Sequence, residues 1–281
     1  MGLLTSTSSS LERQRDYDPY VDKYIDMVYS GAVETNDDIK KAMSYVERRL
    51  APDYVFIDSE RIADAILLME KYFGLSLFEW QKFVIALVHC YDTRDDTVLF
   101  NTFFLMMGRG NGKNGFISCL AWYLSTHYHG VDEYNIDIIA NGEEQAKTSF
   151  DDISNMLEVN WKGTPDKPGL SSLFTKTKML ITNTITNSYI KYNTSNAKTK
   201  DGKRSGCLIF DEVHEYEDFR LINVFESGFG KKKHSRTFYI TTQGHLRGGV
   251  LDELLEIAEG VLNGESDELG MLPLVYRIDV K

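Results

Sequence analysis

The run Phe103-Phe104-Leu105-Met106-Met107, followed by Gly108-Arg109-Gly110-Asn111-Gly112-Lys113-Asn114, constrains this chain most: an apolar stretch breaks into glycines and ends on a lysine. Five apolar residues bounded by glycine fit a buried strand. Three glycines in five positions make a loop free to aim successive N–H groups inward. Apolar residues then recur at helical spacing from Ile117 to Leu124, so a helix N-terminus would point its dipole and unpaired N–H groups at the same spot. Strand, glycine loop and helix in that order predict a nucleotide-phosphate cradle, with Lys113 supplying a point charge for β and γ oxygens.

Against the Walker A pattern G-x-x-x-x-G-K-[ST], Met107 stands where the first glycine belongs and Asn114 where a Mg²⁺-binding hydroxyl belongs. Gly110, Gly112 and Gly115 also spell G-x-G-x-x-G, which opens a dinucleotide-binding reading of the same residues. That reading expects a ribose-binding acid about 20 residues on, and the next apolar run, Ile136 to Ala140, ends instead in Asn141-Gly142. A ligand-free loop that merely turns a strand into a helix is a third possibility at this point.

A second stretch separates them. Cys207-Leu208-Ile209-Phe210-Asp211-Glu212 is an apolar run ending in two adjacent carboxylates, as a Walker B strand requires. Asp211 at the strand end can hold the water shell of Mg²⁺. Glu212, expected to point to the opposite side, can polarise a water for in-line attack on a γ-phosphate. Glycine loop and acid pair, in this order with one α/β unit between them, are a far rarer coincidence than either alone.

Charge and cysteines narrow the class further. A formal charge of −11 over 281 residues argues against a surface that coats nucleic acid everywhere, while leaving room for a local basic site. Two such clusters occur, Lys198 to Arg204 and Lys231 to Arg236, and each is as well explained by a solvated loop. The longest apolar run, Phe83 to Val88, is far short of the roughly 18 residues of a membrane span. Met1 to Ser10 lacks the basic end of a signal peptide and is expected to be disordered. Cys90, Cys119 and Cys207 sit far apart in apolar contexts, as reduced core residues of a cytosolic protein would.

Taken in order, Tyr17 to Leu50 predicts two amphipathic helices broken between Gly31 and Asp38, and Asp58 or Ser59 would cap a third. Residues 1–76 thus read as a helical N-terminal subdomain and 77–281 as the nucleotide-binding domain. Trp80-Gln81 opens a further helix just before the glycine loop, where ring and amide suit an adenine edge or simply pack on a sheet. Glu143 to Val159 predicts a long helix, and Lys178–Thr182 with Ser188–Tyr192 a hairpin. The polar 193–205 stretch reads as a mobile loop. A helix from Phe219 to Phe229 should lead into a strand over Arg236 to Gly244, which would place Thr241, Thr242 and Gln243 in the crevice of Lys113 and Glu212. A helix from Val250 to Val261 and a strand from Leu272 to Ile278 follow. His127, His129 and the remaining histidines lack metal spacing and read as structural.

These motifs together resemble the large subunit of tailed-phage terminases, the ATP-driven motors that package genomic DNA. The similarity runs over nearly the whole chain: Tyr24 to Gly31 with Glu47-Arg-Arg-Leu50, the adenine motif Trp80-Gln81, the deviant loop Arg109 to Lys113, Gln145-Ala146, Ile209 to Glu215, and the coupling motif Thr241-Thr-Gln-Gly244. The resemblance implies an α/β fold, a RecA-like P-loop NTPase of the ASCE type with a mostly parallel sheet flanked by helices. It implies ATP held by Gly108, Arg109, Gly110, Asn111, Gly112, Lys113, Asn114, Trp80, Gln81, Thr241, Thr242 and Gln243, and Mg²⁺ held by Asp211 and Asn114. Glu212 and Lys113 would be catalytic. Arg204 would serve a neighbouring subunit's transition state, with Arg236 as second candidate. Double-stranded DNA, portal protein, the small terminase subunit and a homo-oligomeric ring, a pentamer when assembled on the procapsid and a monomer in solution, are the implied partners, in the host cytoplasm. The family's C-terminal nuclease domain is not expected here. A helicase-like P-loop enzyme and a nucleotide-free assembly module stay open as rivals.

Overall fold

A computed structural model of the chain describes residues 16–165, 169–194, 204–266 and 270–277. Tyr17 to Leu50 forms two helices, α1 (Pro19–Tyr29) and α2 (Asp37–Leu50). The Asp18 carboxylate accepts the Tyr20 N–H at 3.0 Å, and Pro19 follows where a helix needs no N–H. After a short strand, β1 (Val55–Ile57), helix α3 (Ser59–Phe73) starts on Asp58, which accepts the Arg61 N–H at 3.1 Å, and stops at Gly74, whose φ of +65° suits glycine.

Helix α4 (Glu79–Val88) takes up the longest apolar run, and β2 (Cys90–Asp92) and β3 (Thr97–Val98) follow. Strands β1, β2 and β3 make a small antiparallel sheet in that order. It has no counterpart among the expectations, because strands of two or three residues are too short to show an alternation.

The central sheet is built from β4 (Thr102–Met106), β5 (Asn135–Ala140), β6 (Phe174–Lys176), β7 (Leu180–Asn183), β8 (Tyr189–Thr194), β9 (Ser205–Asp211), β10 (Arg236–Thr241) and β11 (Met271–Val275). Its order is β11-β4-β10-β9-β5-β8-β7-β6. Six neighbouring strands run parallel, and β7 pairs antiparallel with β8 and β6, so the expected hairpin gains a third strand. Helices α5 (Lys113–Leu124) and α6 (Glu143–Val159) pack on each other, α6 lies against β5 and β8, and α8 (Val250–Asn263) and α2 cover β11. Strands β9 and β10 are buried along their whole length, which is why Cys207–Phe210 reads as an unbroken apolar run, while β10 buries Arg236, Thr237 and Thr241 around Phe238–Ile240. Pro273 is tolerated in β11 because that strand is at the sheet edge.

One strand, β10, stands between the strand of the glycine loop and the strand of the acids. Phe103 stacks on Phe238 at 4.7 Å and Phe210 on Tyr239 at 5.3 Å, so aromatic pairs lock β4, β10 and β9 together. Met106 is level with Thr241, and Asp211 with Ile240. Three strand ends therefore finish side by side.

Several boundaries shift. Helix α7 (Arg220–Glu226) is shorter than expected, β10 ends at Thr241 and β11 at Val275. Ile278, the first ten residues and most of the 193–205 stretch, including all of the first basic cluster except Arg204, lie outside the described residues. No helix among the described residues is long and apolar enough to cross a membrane.

Candidate functional site

The loop between β4 and α5 turns through Gly110 and Gly112, whose φ values of +82° and +77° belong to the left-handed region. A Cβ on Gly112 would also come within 3.1 Å of Gln81 Nε2 and of the Phe78 ring. Gln81 itself is buried with both ends of its amide engaged: Oε1 accepts the Phe78 N–H at 2.8 Å and Nε2 donates to Gly112 O at 3.2 Å. The residue expected at an adenine edge thus braces the glycine loop against the start of α4. Asn111, exposed, closes the loop by donating to Gly108 O at 3.2 Å.

Lys113 opens α5 with its ammonium turned back beneath the loop, donating to Met107 O at 2.9 Å and Gly108 O at 3.0 Å. Two of its three N–H groups are so used, which fixes the direction of the third. Burial lowers its pKa, against the opposing pull of Glu212 and Asp211.

At the end of β9, Asp211 is buried and its Oδ1 accepts the Glu212 N–H at 2.8 Å. Burial first, and the neighbouring Glu212 second, push its pKa up to about 7. Glu212 has a φ of +49°. A left-handed backbone is costly for a residue with a side chain and persists where the surrounding structure over-determines it. Here it, rather than the alternation of a strand, sets the direction of the Glu212 carboxylate.

A cavity of about 340 Å³ brings Arg109, Gly110, Gly112, Lys113, Asn114, Gly115, Glu212 and Thr242 together. Gly110 also lines a second cleft of about 440 Å³, whose other walls include Trp80, Phe78, Asn111, Tyr24 and Tyr276. A hollow holding Arg109, Lys113 and Glu212 and a cleft holding four aromatic side chains therefore meet at the glycine loop. The donor set also fits a divalent cation: among the described residues the two adjacent acids, Asp211 buried, have no ion-pair partner beyond His214, and Glu212 Oε2 is a buried oxygen without a hydrogen bond.

Some expected residues are elsewhere. Thr241 is wholly buried and turned from the cavity: its hydroxyl donates to Thr242 O at 2.9 Å and accepts the His214 N–H at 3.0 Å. Gln243 is exposed and forms no part of the cavity wall. Arg204 is exposed just before β9, at the far end of that strand from Asp211. Arg236, the second arginine candidate, is fully buried; it donates to Tyr134 Oη at 3.1 Å, His234 O at 2.8 Å and Val88 O at 2.6 Å, so it cannot reach a neighbour. The basic run around it is answered by acids, Lys232 by Glu133 at 3.6 Å and Lys233 by Asp96. His214, read as structural, stands 3.2 Å from Glu212 Oε2. Its place two residues beyond Glu212 was the available signal.

Comparison with known proteins adds to this geometry. The family described as terminase large subunit, ATPase domain, matches residues 79–260, more than half of the chain. The terminase large subunits of Lactococcus phage p2 and Lactococcus phage SK1 are each 26% identical over 251 residues, covering 84% of this chain and 45% of the relative. The chain thus spans under half the length of these relatives. Among solved structures, the large terminase of bacteriophage HK97 superposes with a TM-score of 0.64 at 20% identity, over 80% of this chain and 46% of that one, a likeness of fold. The matched segment begins at the helix that braces the glycine loop and runs through the acid pair and β10, so the cavity at the three strand ends lies inside it, and the chain belongs to the family of terminase large subunit ATPase domains.

Proposed function

We propose that this domain hydrolyses ATP and that the whole protein uses the hydrolysis to drive double-stranded DNA into a viral procapsid. The observation that carries the reading is the shared cavity of Lys113, Asn114, Glu212 and Thr242 at the ends of β4, β10 and β9. Lys113 and the loop N–H groups hold the β and γ oxygens, and Arg109 and Thr242 face the same charge. The base enters the aromatic cleft beside Trp80, with Gln81 acting through the loop it braces. Glu212 orients an attacking water and takes its proton. Asp211 and Asn114 would hold Mg²⁺, which when bound neutralises phosphate charge.

Residues 77–281 form the catalytic unit in this reading, and the helical 1–76 region supplies Tyr24 to the base cleft. A ring of subunits, DNA, portal protein and small terminase subunit are the partners proposed, in the host cell cytoplasm. Glu212→Gln tests the chemistry: nucleotide binding should persist within about twofold while turnover falls by at least ~100-fold. Undiminished phosphate release from this variant would refute the role of Glu212. Absence of both binding and turnover in the parent chain would favour an assembly module.

A further inference from the structure

His214 is held where three parts of the site meet. Its backbone N–H donates to Thr241 Oγ1 at 3.0 Å, and its ring Nδ1 lies 3.1 Å from the same oxygen and 3.2 Å from Glu212 Oε2. The Thr241 hydroxyl gives its one proton to Thr242 O at 2.9 Å. Oγ1 can then only accept, so Nδ1 must carry the imidazole proton and stands as a donor between the Thr241 oxygen and the Glu212 carboxylate. On the other side of the ring, Nε2 faces Glu215 Oε1 at 4.0 Å, and Gln145 Nε2 reaches both Glu215 carboxylate oxygens at 3.0 Å. A Cβ on Gly244 would come within 2.6 Å of His214 Cβ. The ring therefore keeps its place only while residue 244 has no side chain.

We propose that His214 is the positioning residue for Glu212: its Nδ1–H links the carboxylate to Thr241 at the end of β10, so that movement of the 241–244 segment is passed to Glu212. This rests on Glu212 acting on the attacking water. Glu212 is left-handed, and among the described residues its Oε2 makes no hydrogen bond, its contact being His214 Nδ1 at 3.2 Å, so without the imidazole its direction is set by the backbone alone. A misplacement of about 1 Å at a reacting group can cost ~100-fold in rate.

The test is steady-state ATP hydrolysis together with equilibrium binding of a fluorescent ATP analogue. His214→Ala should lower kcat ~10- to 100-fold with analogue affinity unchanged within about twofold. His214→Asn, whose amide can place a donor near the Nδ1 position, should recover much of the loss. Gly244→Ala, which displaces the ring without removing it, should fall in kcat as His214→Ala does. Wild-type kcat in His214→Ala and Gly244→Ala, or equal loss of kcat, affinity and thermal stability in the Ala and Asn variants, would overturn the proposal. The reading beneath it fails separately, through an active Glu212→Gln variant.

Discussion

The surroundings of Lys113 explain why a lysine rather than an arginine stands there. The ammonium fits between two carbonyls of its own loop, Met107 O and Gly108 O, leaving one N–H to spare. A planar guanidinium has no comparable fit in that turn. A charge-assisted hydrogen bond is worth about 1.5–3 kcal/mol, so Lys113→Ala should weaken binding of an ATP analogue ~10- to 150-fold, as titration by fluorescence or calorimetry would read. Unchanged affinity would contradict the phosphate assignment. The identities of Lys113, Asp211 and Glu212 were legible because each sits at a fixed offset from an apolar run. The engagement of Gln81 with Gly112 O, and of Thr241 with His214, was not, since each joins segments about 30 residues apart.

Among the elements, β10 does most to organise the site. It was expected as a central strand, but sequence order places it third among the strands that matter, whereas the sheet places it between β4 and β9. Its N-terminal end is anchored by Arg236, which ties it to the end of α4 through Val88 O and to the preceding turn through His234 O. Arg236→Ala would leave the buried Val88 carbonyl without this donor, while His234 O keeps the Tyr134 hydroxyl, and a loss of about 2–4 kcal/mol is expected. Urea denaturation should show a lower midpoint with an unchanged slope. Analogue affinity of the folded variant should stay as in the parent, because β10 is six residues long, about 20 Å, and the cavity is at its other end.

For the whole molecule, two buried histidines contribute to the acid limit of stability. Burial lowers the pKa of His89 to about 3 and that of His129 well below its ordinary value of 6.5, so both stay neutral in the fold. An unfolded chain takes up their protons as pH falls through about 6.5, while the folded chain does not, so the stability they allow is present above that pH and is lost below it. His129→Gln should flatten the acid limb by up to about 1.4 kcal/mol per pH unit, measured by urea denaturation between pH 7 and 5. An unaltered slope would mean His129 is protonated in the fold. Assembly is tested at the same scale. Arg204 is exposed at the far end of β9 from Asp211, and if it serves a neighbouring subunit, ATP turnover per chain should rise with concentration in the parent and stay low in Arg204→Ala. Turnover per chain independent of concentration would count against it.

The amino-acid order by itself determined the α/β class, the glycine loop, the acid pair and the long helices, because each is a local pattern of apolar spacing and turn chemistry. Which residues share the cavity was decided only by the tertiary structure. The insertion of β10 between β4 and β9, the left-handed turn at Glu212, and the burial that neutralises His89 and His129 all depend on what packs beside them. Packing of that kind joins residues far apart in the chain, and no window of sequence contains both partners.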